Sequence, residues 1–318
     1  MRKELFHRHP ANPVLTAKDI PYPAAAVFNA GAAIVDGETL LLVRVEDQRG
    51  ISHLTVARSK DGLTGWRLDP EPSLVPEPER YPEEKWGIED PRISPLGETG
   101  RWAVVYTSYG EAGPLVSLAT TRDFRTFRRH GAILPPENKD AALFPVSFGG
   151  SWLLLHRPVP RMPGAGAHIW LARSPDLEHW GGHRRLLAAR RGGWWDADKI
   201  GASAPPLETG RGWLLLYHGV RDTVSGAIYR QGLALLDRED PARVLARSPE
   251  WVFGPERTYE RSGDVGNVVF SCGWTLAGKQ VRMYYGAADT AICVATANVE
   301  ELIDWLEKHS SGGRRDCP

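Results

Sequence analysis

The sequence predicts an all-β protein, a five-bladed β-propeller with a C-terminal helix. Helix-period segments are nearly absent before the C-terminus, and short apolar runs rich in Val, Leu, Trp and Tyr recur between Gly, Pro and Asp turns. The repeat length is roughly fifty to seventy residues, which is typical of stacked units that cannot bury their own faces. A closed propeller protects the strand edges of such units.

Five units follow one another along the chain, each with an apolar strand that ends in polar residues and a second strand after a loop. We expect one propeller domain over residues 1–318, with blades beginning near residues 40, 102, 152, 213 and 281. In the first three units an Asp turn closed by an aromatic residue follows. The turn residues are Asp61, Asp123 and Asp176, and the aromatic residues expected to pack between blades are Trp66, Phe127 and Trp180.

The last unit carries a segment that approaches a phosphate-loop pattern, "GWTLAGKQ" at 273–280. That motif needs a strand followed by a helix, whereas this segment lies between two apolar runs, so we expect a β-hairpin with Gly278 in its turn. A closing helix is predicted at about 298–309, with Asn298 as its N-cap. Its apolar face comprises Val299, Leu302, Ile303 and Leu306.

Composition excludes several classes of function. The formal net charge is zero and the pI is about 7.2, so no overall field attracts nucleic acid or an anionic membrane. Cys272, Cys293 and Cys317 are too scattered for a disulfide framework or a zinc site, and we interpret them as two core residues and a tail thiol. The chain shows no signal-peptide pattern or membrane-length apolar run, which predicts a cytoplasmic protein without a membrane partner.

Charged residues stand where the apolar strands end, in several units. In a propeller these ends lie at one rim of the central channel, so residues remote in sequence meet there. So many charges in one channel are costly unless they pair or bind a polar ligand. Carboxylates and cations flanked by Trp and Tyr favour a carbohydrate.

A series of short motifs resembles the mannoside phosphorylases of glycoside hydrolase family 130. In order, they include "FNAGAA", "LLVRVEDQRGISHLTVARS", "WGIEDPRIS", "NKDAALFP", "LLLHRP", "KIGASAPPLET", "WLLLYHGV", "YRQGLALLD", "GDVGNVVFSCGW" and "YYGAADT". The similarity runs from about Asn12 to about Trp305. That family is a five-bladed propeller, in agreement with the repeat count. Ala30, Ser203 and Gly266 depart from the family pattern, and we expect differences in acceptor preference there.

The resemblance implies inverting phosphorolysis of a β-mannoside, with orthophosphate as co-substrate, α-mannose 1-phosphate as product and no metal or organic cofactor. It implies Asp90 as the catalytic acid, with its proton passing through a hydroxyl of the mannosyl residue. The implied phosphate ligands are Arg44, Lys139, His218, Tyr229, Arg157 and Arg230. The implied substrate-binding residues are Asn29, Asp47, Glu89, His156 and Asp289. Phosphate is already a charged nucleophile, so a cationic cradle can replace the carboxylate base that an inverting hydrolase needs.

Two alternatives stay open from the sequence. One is a β-mannoside hydrolase on the same propeller, which would supply an additional carboxylate as base. The other is a non-catalytic propeller that binds sugars. The linkage, β-1,2 or β-1,4 or of the mannosyl-glucose type, is left open as well, and a homo-oligomer is possible because the terminal helix and N-terminal arm offer contact elements.

Overall fold

The computed structural model describes residues 4–162 and 164–310, so Cys317 and the rest of the predicted tail lie outside the described residues. An N-terminal arm contains β1 (His7–Arg8), β2 (Leu15–Thr16) and a 3-10 turn at Ala17–Asp19. Five antiparallel sheets then follow one another along the chain, in the arrangement of a five-bladed propeller. The predicted fold class is confirmed.

The first three blades have four strands each. Blade one contains β3 (Ala26–Val35), β4 (Glu38–Glu46), β5 (Ser52–Ser59) and β6 (Arg67–Leu68). Blade two contains β7 (Ile88–Pro95), β8 (Trp102–Gly110), β9 (Gly113–Thr121) and β10 (Phe127–Leu134), with 3-10 turns at Pro82–Glu84 and Gly97–Thr99. Blade three contains β11 (Asn138–Leu143), β12 (Trp152–Pro158), β13 (Ile169–Ser174) and β14 (Gly181–Leu187).

The last two blades have five strands each. Blade four contains β15 (Lys199–Ala202), β16 (Leu207–Thr209), β17 (Gly212–Thr223), β18 (Gly226–Leu236) and β19 (Val244–Arg247). Blade five contains β20 (Val269–Ala277), β21 (Gln280–Ala287) and β22 (Ala291–Asn298), together with β1 and β2 of the N-terminal arm. The helices are α1 (Thr258–Arg261) and α2 (Val299–His309).

The predicted blade starts near residues 40, 102, 152, 213 and 281 fall on the strand next to the innermost one of each sheet, so each blade begins earlier in the chain, at β3, β7, β11, β15 and β20. The true first strands, such as β3, β7, β11 and β20, contact one another around the axis. Close approach there admits only small residues: a Cβ added at Gly31 would lie 2.7 Å from the Pro91 carbonyl oxygen, and one at Gly273 would lie 2.3 Å from the Ala32 nitrogen. Small residues interrupt the apolar runs of the inner strands. The sequence pattern therefore placed the start of each blade at the next, more continuously apolar strand.

Alternating residues of one strand pack against two different neighbours. In β4, Leu41 and Val43 join the core shared with blade five, whereas Leu40 and Leu42 join the core shared with blade two. Side chains of a strand point to opposite faces, so a blade buried on both faces has a continuous apolar run rather than an alternating one. The cores between adjacent blades therefore follow directly from runs such as "LLLV".

Local predictions made from turn chemistry are confirmed. The carboxylate oxygens of Asp61, Asp123 and Asp176 each accept hydrogen bonds from two backbone N–H groups two and three residues further on. The aromatic residues Trp66, Phe127 and Trp180 pack against cores between blades. Gly278, with φ of 61°, forms the hairpin turn between β20 and β21.

The propeller closes by joining both ends of the chain in blade five. Strands β1 and β2 pair with β22, and the Arg8 side chain donates to the buried carboxylate of Glu260 at 2.7 Å. Helix α2 begins after Asn298, whose side chain accepts from two backbone N–H groups as predicted. No helix in the described ranges is long and apolar enough to cross a membrane.

Candidate active site

Three inner strands carry the same irregularity, and it turns polar side chains toward the axis. The register with the neighbouring strand shifts by one residue around Asn29 in β3, Asp90 in β7 and Asp140 in β11. These residues have φ values of 50°, 51° and 53°, in the left-handed region. Asn and Asp are the residues other than Gly that most readily adopt it, and a bulge redirects the side chain from its ordinary alternation.

The bulges face a cavity of about 180 Å³ at the axis. Its polar lining comprises Asn29, Arg44, Asp90, Lys139, Asp140, Arg157, Lys199, His218, Tyr229 and Asp289. Its apolar lining comprises Val265, Val268 and Phe270. All five blades contribute to this wall, so the site exists only in the closed propeller.

Asp90 is 3% exposed and is held by one of its two oxygens. Asp90 Oδ1 accepts from Asn29 Nδ2 at 2.9 Å and from Arg44 Nη1 at 3.0 Å. Among the described residues, Oδ2 accepts no hydrogen bond. The carboxylate is therefore fixed on one side and available to a substrate on the other.

Burial alone would raise the pKa of Asp90, but the charges of Arg44 and Lys139, together with Arg92, outweigh burial and lower it. Burial likewise opposes the charge of Lys139, yet Glu89 and Asp90 outweigh burial and raise the pKa of Lys139. These opposite shifts keep the carboxylate and the ammonium charged beside each other. Glu89 connects the two cations, because it accepts from Arg44 Nη2 at 3.1 Å and lies 4.0 Å from Lys139 Nζ.

A second carboxylate, Asp140, organises the opposite wall. Its Oδ2 atom accepts from Arg157 Nε at 2.6 Å and lies 3.3 Å from His218 Nε2. Burial would raise the pKa of Asp140, but Arg157 and His218 hold it well below its usual range. Burial lowers the pKa of His218, and the neighbouring Asp140 opposes that shift.

Two further charged residues of the lining, Asp289 and Lys199, do not belong to these ion pairs. Burial, and then the charge of Asp90, raise the pKa of Asp289 to about 6, so this carboxyl takes up a proton under mildly acidic conditions. Lys199 makes no carboxylate pair within the described part of the chain, and its Nζ atom lies 5.2 Å from the centroid of the Tyr229 ring. Lys199 is thus a cation of the cavity whose charge is not balanced by a neighbouring carboxylate.

Most residues implied by the family resemblance meet in this cavity. Those that line it are Asn29, Arg44, Asp90, Lys139, Arg157, His218, Tyr229 and Asp289. Glu89 lies directly behind them through its contacts with Arg44 and Lys139.

Besides Glu89, three implied residues are not brought to the lining. Asp47 caps the turn between β4 and β5 by accepting from the backbone N–H groups of Arg49 and Ile51. The guanidinium of Arg230 lies 4.4 Å from the ring centroid of Trp251. His156 is buried against Asn138 and His183.

Sequence reasoning assigned no role to two charged residues of the lining, Asp140 and Lys199. Both belong to motifs that carry the family resemblance, "NKDAALFP" and "KIGASAPPLET". Lys199 is the first residue of inner strand β15, and Asp140 is the third residue of inner strand β11. Their position at the start of β11 and β15 was the available signal. It was hidden because the inner strands were not recognised.

Arg92, two residues after Asp90, is buried and donates to backbone carbonyls of two blades. Its guanidinium donates to the backbone carbonyls of Ser203 at 2.6 Å, Ala202 at 2.9 Å and Asp90 at 3.0 Å. It therefore ties blade two to blade four beneath the cavity. No cluster of three or more His, Cys, Asp or Glu residues suited to a metal ion is present in residues 4–162 and 164–310.

The cavity on the propeller axis holds a fixed carboxylate beside several cations. This arrangement is typical of an enzyme site that brings a polar substrate together with an anion. A family model described as beta-1,4-mannooligosaccharide phosphorylase, glycoside hydrolase family 130, matches residues 5–308. The chain therefore belongs to glycoside hydrolase family 130, the family of mannoside phosphorylases.

Individual relatives span nearly the whole chain. A 1,2-beta-oligomannan phosphorylase of Thermoanaerobacter sp. is 37% identical, covering 91% of this chain and 96% of the relative. A beta-1,2-mannobiose phosphorylase of Listeria innocua is 34% identical, covering 95% and 98%. Its complex with beta-1,2-mannobiose superimposes with a TM-score of 0.87 at 32% identity, covering 95% of this chain and 99% of that one. A beta-1,4-mannooligosaccharide phosphorylase of Ruminococcus albus is 31% identical, covering 97% and 93%.

Proposed function

We propose that this enzyme cleaves a β-mannoside with orthophosphate and releases α-mannose 1-phosphate and a shortened sugar. The observation that carries the proposal is the cation content of the cavity, where Arg44, Lys139, Arg157 and Lys199 surround about 180 Å³. Water needs no such environment as a nucleophile, whereas a phosphate dianion is stabilised by charge-assisted hydrogen bonds from Arg and Lys. Family membership supports the same reaction.

The chemical step needs a nucleophile on one face of the mannosyl ring and a proton on the other. A phosphate oxygen attacks the anomeric carbon, and the bond from that carbon to the glycosidic oxygen breaks with its electron pair moving to the oxygen. A proton from Asp90 then makes that oxygen a hydroxyl of the departing sugar. The family resemblance implies transfer through a mannosyl hydroxyl, and the free Oδ2 atom of Asp90 is the oxygen available for it.

A general acid must carry a proton, and the lowered pKa of Asp90 disfavours this in the empty cavity. Bound phosphate changes the balance of charge. Arg44 and Lys139 lower the pKa of the carboxyl in the empty cavity. A phosphate dianion bound beside the same two cations would weaken their effect on Asp90, and its own negative charge would favour a protonated neighbour. Phosphate binding thereby prepares the acid, which couples proton donation to the presence of the nucleophile.

The β-1,2 linkage is our first candidate for the substrate. The Thermoanaerobacter and Listeria relatives with β-1,2 names are 37% and 34% identical to this chain, whereas the β-1,4 relative is 31% identical. The comparison is close enough that both linkages belong in the first experiment. Asp289 is the carboxyl that a hydrolytic reaction could recruit as a base, so reactions without phosphate belong there too.

Purified protein is incubated with β-1,2- and β-1,4-mannobiose, with and without orthophosphate, and mannose 1-phosphate and free mannose are measured. We expect phosphate-dependent mannose 1-phosphate that falls by roughly 10²- to 10⁴-fold in Asp90→Asn, the usual range for losing a general acid. Asp69→Asn is the control, because this carboxylate pairs with Arg58 outside the cavity. Free mannose without phosphate would instead indicate a hydrolase. No turnover of either sugar would favour another glycoside or a sugar-binding propeller.

A further inference from the structure

Asp140 is a buried carboxylate in the lining of the cavity, beside the implied phosphate ligands Arg157 and His218, and the proposed reaction assigns it no chemical step. It is 1% exposed and lies within 4 Å of three positively charged or protonatable side chains. The distances are 2.6 Å to Arg157 Nε, 3.3 Å to His218 Nε2 and 3.7 Å from its Oδ1 atom to Arg92 Nη2. A carboxylate in an anion-binding cavity repels the anion, so its presence there calls for a role that offsets this repulsion.

The backbone makes room for this arrangement. A Cβ added at Gly201 would lie 2.4 Å from Asp140 Oδ2 and 2.5 Å from His218 Cε1. Only a glycine at this position of β15 lets the carboxylate and the imidazole meet. The contact between Asp140 and His218 is therefore built into three blade elements, namely β11, β15 and β17.

Asp140 accepts a hydrogen bond from Nε of Arg157, the inner donor of the guanidinium, and leaves the two Nη groups, its outer donors, unused by the described residues. The hydrogen bond to Asp140 comes from Nε, and within the described ranges neither Nη atom of Arg157 donates to a protein acceptor. Arg157 also lines the cavity. The planar guanidinium is thus held at one edge while its two terminal NH₂ groups remain for a forked interaction with an anion.

On the side away from Asp140, His218 contacts Ser203, which belongs to a series of hydrogen bonds whose donors and acceptors can be assigned. Gln231 Nε2 donates to the Val269 carbonyl at 2.9 Å, so Gln231 Oε1 is the acceptor that receives the Ser203 hydroxyl at 2.7 Å. Because the Ser203 proton points to Gln231, its oxygen presents a lone pair to His218 Nδ1 at 3.5 Å. A neutral imidazole has one N–H, and the Asp140 carboxylate, at 3.3 Å from Nε2, is the closer and stronger of its two neighbouring acceptors, so the His218 N–H faces Asp140.

We propose that Asp140 is a positioning residue for phosphate: it orients Arg157 and His218 so that the outer N–H groups of Arg157 face the anion. This rests on the proposed use of phosphate by the cavity. Holding the donors in advance removes the entropy cost of ordering a long side chain when the ligand binds. The charge of Asp140 is offset by Arg157, so the anion meets oriented donors rather than an unbalanced carboxylate.

The test compares Asp140→Asn with Asp196→Asn. Asp196 is an equally buried carboxylate that accepts from Arg190 and Arg247 at 2.8 Å, but it is absent from the lining of the cavity. Both changes remove a buried negative charge beside arginine, so both are expected to lower the melting temperature. Only Asp140→Asn is expected to alter phosphate recognition.

Binding of inorganic phosphate is measured by isothermal titration calorimetry, and the KM values for phosphate and mannobiose are measured separately. For Asp140→Asn we expect the phosphate Kd and KM to rise by roughly 10- to 100-fold, as for loss of a charge-assisted hydrogen bond, with the mannobiose KM little changed. Asp196→Asn should keep the wild-type phosphate Kd. Wild-type phosphate binding by folded Asp140→Asn, or equal weakening by Asp196→Asn, would overturn the proposal.

A second variant and a second readout keep the test decisive. Should Asp140→Asn not fold, Gly201→Ala displaces the carboxylate without changing its charge, and the same rise in phosphate Kd is expected; an unchanged Kd overturns the proposal. If the wild-type protein binds no phosphate, the proposed reaction fails by itself. The contact on which the positioning role depends is then tested separately by NMR: it predicts a slowly exchanging His218 ring N–H in the wild type, assigned with His218→Gln, that is lost in Asp140→Asn. Absence of this signal in the wild type, or its persistence in Asp140→Asn, would contradict the role.

Discussion

The buried histidine of blade three should make the stability of this enzyme depend on pH. His156 is 2% exposed, and its Nε2 atom lies 3.1 Å from His183 Nδ1 while its Nδ1 atom lies 3.1 Å from the Asn138 amide nitrogen. Burial, and then the neighbouring His183, lower the pKa of His156 to about 3. The residue is therefore neutral in the native protein throughout the range in which an unfolded histidine gains its charge.

The sign and size of the effect follow from linkage. The pKa of His156 is lower in the native state than the ordinary value of about 6.5, so the unfolded chain binds more protons and stability falls as pH falls below that value. At pH 5 the unfolded residue lies about 1.5 units below its pKa, and at about 1.36 kcal/mol per unit the loss is about 2 kcal/mol relative to neutral pH. This loss is insensitive to the native pKa as long as that stays below about 4.

Urea unfolding of the wild-type protein and of His156→Gln, followed by tryptophan fluorescence at pH 5, 6, 7 and 8, measures this contribution. All other titratable groups are common to both proteins, so the difference between the two pH dependences reports on His156 together with its contact to His183. The free energy of unfolding of the wild type should fall by about 2 kcal/mol more than that of His156→Gln between pH 7 and pH 5. Parallel pH dependences of the two proteins would refute the assignment of a neutral, buried His156.

Two further predictions concern the cavity. Lys199→Met should raise the KM for phosphate by roughly tenfold, because it removes a cation that no neighbouring carboxylate balances; an unchanged KM in initial-rate measurements over a phosphate series would contradict this. Asp289, whose pKa is raised to about 6, is protonated below that pH and ionised above it. The pH profile of kcat/KM for mannobiose should therefore contain an ionisation near pH 6 that Asp289→Asn lacks, and identical profiles for the two proteins would exclude Asp289 as its source.

The parts of the fold that the sequence predicted depend on local chemistry. The Asp turns at Asp61, Asp123 and Asp176 form within a few residues, and the hairpin at Gly278 needs only a residue that tolerates positive φ. Helix α2 is predicted by its apolar period and its Asn298 cap. None of these features requires knowledge of which strand is the neighbour.

The inner strands could not be predicted in the same way, because their composition reflects contacts between blades. Gly31 and Gly273 are small because other inner strands approach them, which is a tertiary constraint with no local signature. The same applies to the residues that the resemblance placed at the site. A motif fixes Asp47 near a strand end, but only the structure places its carboxylate in the β4–β5 turn.

The positions of Asn29, Asp90 and Asp140 show how one backbone device makes the two halves of the site. Each lies in a one-residue bulge with φ near 50°, at the same level of a different inner strand. Without the bulge, strand alternation would direct these side chains into the cores between blades, where an unpaired carboxylate is costly. With it, Asp90 meets Arg44 and Asn29 on one wall, while Asp140 meets Arg157 and His218 on the other. The propeller can therefore keep apolar cores on both faces of a blade and still present carboxylates to the axis.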